Sequence, residues 1–317
     1  MPSGKVLAAD WANIVQTVYA DVFPVALNRI SFIWSRLAEL GKVRQINRNN
    51  IDWRVNSAGH GNVTAIDDGE TLPSPGKQTV VNPQLQFKIL IATISVGRQV
   101  QRASFAADSS VADALAWETQ RTIEDMAREI HLDLVGSAAS TKNITGLQDA
   151  LNASNTYAGI ARGANTFWQP YVNDNGGTDR ALTEALLEDV VDTLKTQRGA
   201  RISEAWCGVT AWNALRQLIY TTLAPARNNT PERLAAGAMA LEWEGIRFVK
   251  VPDYDLNRID FVDLDSEGGI EYLVQSDQDF MVAPEATDSF DTRVSITHMS
   301  QLVCWNPFKQ GSLQDVE

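Results

Sequence analysis

The chain has 317 residues, 44% apolar and 21% charged, a balance that excludes a disordered polymer and leaves room for about two domains. Its net charge of −12 is unevenly spread: residues 1–110 carry 11 Lys and Arg against 8 Asp and Glu, and residues 111–317 carry 16 against 31. An acidic body argues against sequence-independent DNA binding, which needs Lys and Arg on phosphates, whereas a basic front and acidic rear favour either attraction between copies or simply two solvated faces.

In chain order, residues 1–45 read as helical and amphipathic. Trp11, Ile14, Val15, Val18 and Tyr19 form one apolar run; Ala26, Ile30, Ile33, Trp34 and Leu37 form a second. Pro24 is expected to separate them and Gly41 to close the second. From Ile51 the period becomes two: Ile51, Trp53 and Val55, then Leu85, Phe87, Ile89 and Ile91, alternate with polar residues. Between these runs lies SAGHGNVTAIDDGETLPSPGKQT, so the unit reads as a two-stranded arm with a long mobile tip. Such an arm is marginal alone in water and suggests an assembly element.

The strongest periodicity follows. Val111, Leu115, Thr119, Ile123, Met126, Ile130 and Leu134 keep one helical face, with Ser110 and Asp113 as a start signal and Gly136 as a stop. A helix of that length suits a spine. Beyond it, Leu182, Leu186, Val190 and Leu194 predict a helix ended by Gly199. A strand at AWCGV and a helix carrying Trp212, Leu215, Leu218 and Ile219 come next. An Ala/Asn/Pro loop then leads to strands GIRFVKV, RIDFVDL, VSITHM and QLVCW.

Chemistry-bearing patterns are sparse. The three histidines, His60, His131 and His298, form no metal or triad spacing, and no phosphate-loop, nucleophile-elbow or dinucleotide motif occurs. Neither a catalytic set, a metal nor a cofactor is expected. DYDLN (Asp253–Asn257) starts like a calcium loop, but Arg258 stands where Gly is required and Leu264 where Glu is. DLDSEG from Asp263 has Gly268 in place but ends on Val274. Both read more simply as turns. Cys207 and Cys304 sit in apolar contexts and read as buried thiols of a reducing compartment, not a disulfide. No signal-peptide order is visible, and ILIATISV is far shorter than the ~20 residues of a membrane span. The expectation is a chain soluble and intracellular when made, with no membrane partner.

NTYAGIARGANTFWQPYV (Asn155–Val172) sets Gly159, Arg162 and Gly163 beside Phe167 and Trp168. A phosphate cradle would run from a strand into a helix. Here FWQPYV follows, with Pro170 in an aromatic run, so a constrained turn and strand is favoured.

The order of elements resembles the major capsid proteins of tailed bacteriophages, the Hong Kong 97-type α+β fold. TYAGIARGANTFWQPYV is similar to the G-x-x-R…W segment many of them carry after the spine helix, and SQLVCWNPF to their closing strand with Asn-Pro. The resemblance implies an N-terminal arm (1–49), an extended loop (50–102), a peripheral domain with the spine (103–180), an axial domain (181–285) and a return to the periphery (286–317). It implies self-assembly as hexamers and pentamers into a head shell around double-stranded DNA, assembled in the host cytoplasm and ending in the virion. Packaged DNA would be met by non-specific contact; a portal, a decoration protein and a separate scaffolding protein are implied partners, because the chain starts almost at the arm. It makes Gly159, Arg162, Gly163 and Trp168 structural.

Under that resemblance, the basic residues Arg29, Arg36, Lys42, Arg44, Arg48 and Arg54 are expected to meet acidic surface of neighbours at Glu118, Glu124 and Asp125. Asp67, Asp68, Glu70 and Lys77 on the loop are further inter-subunit candidates. Lys77, Lys88 and Asn306 match no crosslinking motif, so covalent linkage is not expected. Two other readings stand beside this one: a cellular nanocompartment of the same fold, and a metal-dependent α+β enzyme using acidic residues around Asp253 to Asp265.

Overall fold

The computed structural model describes residues 22–59, 61–74, 76–97, 114–138, 140–219, 232–233, 239–264, 269–276, 281–285 and 291–317. The apolar run from Trp11 to Tyr19, the Ser110–Asp113 start signal and most of the Ala/Asn/Pro loop lie outside them.

Residues 22–30 (α1) and Phe32–Glu39 (α2) are helical. Pro24, expected as a breaker, lies within α1, and a break falls at Ser31, inside the second apolar run. Ser31 is extended and its hydroxyl accepts the Trp34 N–H, so it starts α2 as an N-cap. Gly41 does close α2. Its φ of 67° lets Gly41 N–H reach Ala38 O and Lys42 N–H reach Leu37 O, a Schellman motif. The strand Val43–Ile46 (β1) follows.

The hairpin arm is built from Asn50–Asp52 (β2), Val55–Ala58 (β3), Thr79–Val81 (β4) and Gln84–Gln86 (β5). β2 pairs β5 with Ile51 opposite Leu85, and β3 pairs β4 with a register shift between Asn56 and Ala58. The chain then enters Lys88–Gly97 (β6) and, later, the spine helix Ala114–Val135 (α3). Thr119, Ile123, Met126, Ile130 and Leu134 are buried as their spacing predicts. Next come Leu147–Ala150 (α4), Thr156–Tyr157 (β7), Ile160–Ala161 (β8), Tyr171–Asn173 (β9) and Glu184–Asp192 (α5), which ends in a π-turn over Thr193–Gln197. The rest is Glu204–Cys207 (β10), Val209–Leu218 (α6), Glu232–Arg233 (β11), Met239–Trp243 (β12), Ile246–Lys250 (β13), Ile259–Val262 (β14), Ile270–Gln275 (β15), Met281–Glu285 (β16), Asp291–Cys304 (β17) and Gly311–Leu313 (β18).

Two sheets organise these strands. The first runs β1-β15-β17-β16, with β6 also paired to β17; the second runs β11-β12-β13-β10-β14-β18-β9. β17 is the hub of the first sheet, since its length lets it pair β16 and β6 at one end and β15 at the other. The VSITHM and QLVCW runs are therefore one strand. Strand pairing also divides the chain differently from the 181–285 unit read from sequence. β15 and β16 belong to the first sheet, whereas β9 and β18, from outside that interval, complete the second. β15 is buried at every residue, so it lacks the alternation that marks a half-exposed strand.

The second sheet is covered on both faces. Ala205, Cys207, Phe248, Ile259 and Phe261 face α5 and α6 in one core. Trp206, Val249, Val251 and Val262 join the other core with α1, α2, the spine and the inner face of the first sheet. Residues 22–39 bury their apolar side within the chain. Phe23 meets His298, Phe32 meets Trp206 edge-on at 6.5 Å, and Leu27, Ile33 and Leu37 are buried in the same chain.

Candidate functional site

Two regions carry most of the sequence-derived site residues: the junction after the spine helix and the extended arm. At the junction, Tyr157, Ala158, Gly159 and Ile160 make a two-residue hairpin turn, with Ala158 at φ 52° and Gly159 at φ 79°. Gly159 thus serves the turn. Gly163 does not; it lies in a 3₁₀ turn outside the left-handed region, and a Cβ there would meet nothing within 4 Å.

Arg162 is fully buried among acceptors. Nη1 donates to Asp149 O at 2.9 Å, to Asn155 Oδ1 at 3.0 Å and to Asn152 O, and Nη2 donates to Ala150 O at 2.7 Å. Two of these carbonyls end the short helix α4, so the guanidinium caps it. The Tyr157 ring lies 4.8 Å from its centre. Burial pulls the Arg162 pKa down to about 10, against smaller favourable fields from Tyr157, Cys304 and Asp149. No donor is left facing solvent, which removes the phosphate-cradle reading.

Trp168 is equally buried and donates Nε1–H to Tyr157 O at 3.1 Å. Its ring packs 6.1 Å from Trp53, whose own Nε1–H donates to Trp305 O at 3.1 Å. Burial drives the Tyr157 hydroxyl far above its ordinary pKa, and its oxygen accepts the Cys304 N–H at 2.8 Å. Burial likewise pushes the Cys304 thiol up to about 12. Trp53 therefore ties the base of the arm to the junction. Sequence alternation placed Trp53 in a strand, but it lies between β2 and β3, where the ladder breaks; nothing local announced its indole partners.

Beyond that base the arm is open. Val63 is 90% exposed and Leu72 78%. Asp67, Asp68, Glu70 and Lys77 are all exposed, with a turn joining Glu70 N–H to Asp67 O and Asp67 N–H to the Glu70 carboxylate. The Asn62 side chain donates across the tip to Ser74 O. The β6 alternation inverts beyond Phe87. Phe87 is buried against Leu273 and Val303, but Ile89 and Ile91 are 56% and 60% exposed, while Leu90, Ala92 and Ile94 turn to the core. Strand β6 pairs Leu90 with His298 and Ile94 with Val294, which fixes that parity.

Four residues of the basic run, Arg29, Arg36, Arg44 and Arg48, lie beside acids of the same chain. Arg29 binds Glu124 at 3.0 Å, and Arg44 reaches Glu271 at 3.5 Å. Arg36 clamps buried Glu204 at 2.5 Å and Glu39 at 2.8 Å, linking α2 to the first residue of β10. Burial opposes the charge on Arg36, yet the two carboxylates hold its pKa above the ordinary value. Arg48 and Asp52 lie 3.9 Å apart, as do Arg121 and Asp125; Arg54 and Glu118 are exposed. Glu204 and Glu271, absent from the sequence-derived set, are the acids that matter, and each is on a strand nearly all of whose neighbours are apolar. Lys88 donates to Thr141 O at 2.6 Å, and Asn306 caps the turn Pro307–Lys309.

Among the described residues the acidic run from Asp253 does not converge, and Asp265 lies outside them. Asp253 faces His131, Asp260 takes Arg258 Nε–H and the Tyr254 hydroxyl, and Asp263 accepts the Arg201 N–H. Among the described residues no group of three metal-ligating side chains forms, and no helix is long and apolar enough to cross a membrane.

A two-sheet α+β chain with a spine helix, an extended arm and an Arg–Trp junction is what the family comparison then meets. The SU10 major capsid protein family model matches residues 22–243. The chain belongs to the SU10 major capsid protein family. It is a major capsid protein of a tailed phage, with the Hong Kong 97-type fold, and a component of the virion. By structure it is similar to the cyanophage A-1(L) capsid subunit, with TM-score 0.69 at 18% identity over 89% of this chain and 92% of that one. It is also similar to the capsid of an empty GTA particle, with TM-score 0.61 at 15% identity over 89% of each. The SrpI encapsulin from Synechococcus elongatus PCC 7942 follows, with TM-score 0.60 at 14% identity over 91% of this chain and 89% of that one. No curated protein matches the chain. At these identities the structural likenesses establish the fold.

Proposed function

We propose that this capsid protein assembles, as hexamers and pentamers, into the icosahedral head shell of a tailed phage, and that the extended arm makes the contacts between subunits. The open arm carries the reading. Its ladder is only two strands wide, and its tip exposes Val63 and Leu72. A hairpin of that kind is marginal in water and gains stability by lying on another surface. The first sheet with the spine serves as the peripheral domain and the second sheet with α5 and α6 as the axial domain.

The chemistry is association without turnover. The net charge of −12 favours loose, non-specific contact with packaged double-stranded DNA, because a negative wall does not hold phosphates. A portal, a scaffolding protein and a decoration protein are the further partners, with assembly in the host cytoplasm. The nanocompartment reading uses the same fold with an enzyme cargo, and the family match favours the phage head.

Replacing residues 59–78 with an Asn-Gly turn closes the ladder at the Ala58–Thr79 pair. The expected protein unfolds in denaturant like the parent yet forms no shells by electron microscopy. Normal particles would overturn the role given to the arm.

A further inference from the structure

Three parts of the fold meet at one imidazole. His131 lies on the spine helix and is 1% exposed. Its Nδ1 is 3.3 Å from Oγ of Ser31, the residue that caps α2 by accepting the Trp34 N–H. Its Nε2 lies 3.5 Å from Oδ2 of Asp253, without hydrogen-bond alignment, on the loop joining β13 to β14. Asp253 is held at φ 55°, and its side chain is 61% exposed, so water reaches the far side of this contact.

One neutral tautomer suits both neighbours. The Ser31 oxygen already accepts from Trp34, which leaves its own hydrogen for Nδ1; the ring hydrogen then sits on Nε2, facing Asp253. A second proton has to enter at Nδ1. There it makes Ser31 accept from two donors and leaves the hydroxyl hydrogen without a partner in a site that is 0% exposed. We propose that His131 is a proton-operated tie: the neutral ring holds the Ser31 cap against the spine, and the protonated ring releases it.

Two charged groups act on the ring in opposite senses. Burial is the largest influence and lowers its pKa, Asp253 pulls the other way, and Arg128 on the same helix adds to the lowering. A histidine depressed in the folded state contributes its full stability above the ordinary value of about 6.5 and loses it as pH falls below.

Hydrogen exchange of the purified full-length protein at about pH 7.5 and about pH 5, corrected for intrinsic chemical exchange, tests this across the range where histidine titrates. Peptides covering 31–37 are expected to exchange roughly threefold faster in acid, the direction set by a histidine that resists protonation in the folded state. His131→Gln should flatten that response. Asp253→Asn, which the left-handed backbone tolerates, removes the attraction for the second proton, so its acid response should exceed the parent's. An unchanged acid response in His131→Gln, or an Asp253→Asn response no larger than the parent's, overturns the proposal; should His131→Gln not fold, the second comparison decides alone.

Discussion

The junction at 155–172 and the arm at 50–86 touch through the Trp53 indole, yet they satisfy their chemistry in opposite ways. At the junction almost every strong donor ends on an acceptor of the same chain: Arg162 on carbonyls, Trp168 on Tyr157 O, Cys304 N–H on the Tyr157 oxygen. In the arm, the tip leaves Val63, Leu72 and the Asp67–Glu70 turn in water. A segment that closes on itself stabilises the subunit. A segment that stays open has no such return within one chain, and its shape is justified only by a second surface.

Trp168→Ala is the largest break of that contrast. It empties a fully buried site and removes the indole hydrogen bond to the Tyr157 carbonyl, so a loss of about 3–5 kcal/mol is expected, a large share of the stability of an ordinary domain. Urea titration of the unassembled protein reads it; a midpoint within error of the parent would show that the junction is not self-supporting.

A smaller effect separates the two glycines. Gly159→Ala places a Cβ on a residue at φ 79°, with an expected cost of about 1–2 kcal/mol. Gly163→Ala meets open space at an ordinary φ and should be neutral or stabilising by about 0.4–1 kcal/mol. The same titration compares them, and equal losses would mean that Gly163 has a role that its backbone does not reveal.

The smallest change in stability belongs to the arm. Val63→Ser with Leu72→Ser alters exposed side chains, so subunit stability should move by less than about 0.5 kcal/mol. Particle yield by size-exclusion chromatography should nevertheless fall. A yield equal to the parent's would place the apolar contribution of the arm elsewhere, with Ile89 and Ile91 as the next exposed pair.

How much of this was legible in the sequence depends on the reach of each interaction. The spine face from Thr119 to Leu134, the Gly41 and Gly199 stops and the arm alternation around Ile51 are local, set by backbone geometry and side-chain period, and they stand in the structure. The break at Ser31 is also local, but it interrupts the second apolar run, where three-and-four spacing alone reads as one continuous helix. Composition announced an acidic body, yet not that Arg36 would clamp Glu204, which is 168 residues away.

By itself the sequence determined the class of fold, the order of its elements and the family to which they belong. Tertiary structure alone decided which strands share a sheet and which charges meet. β15 shows no alternation because both of its faces are buried, and the parity of β6 follows from its register with β17, not from its own pattern. Pairing of segments far apart in the chain is chosen by the cores they jointly fill, and no window of neighbouring residues contains that choice.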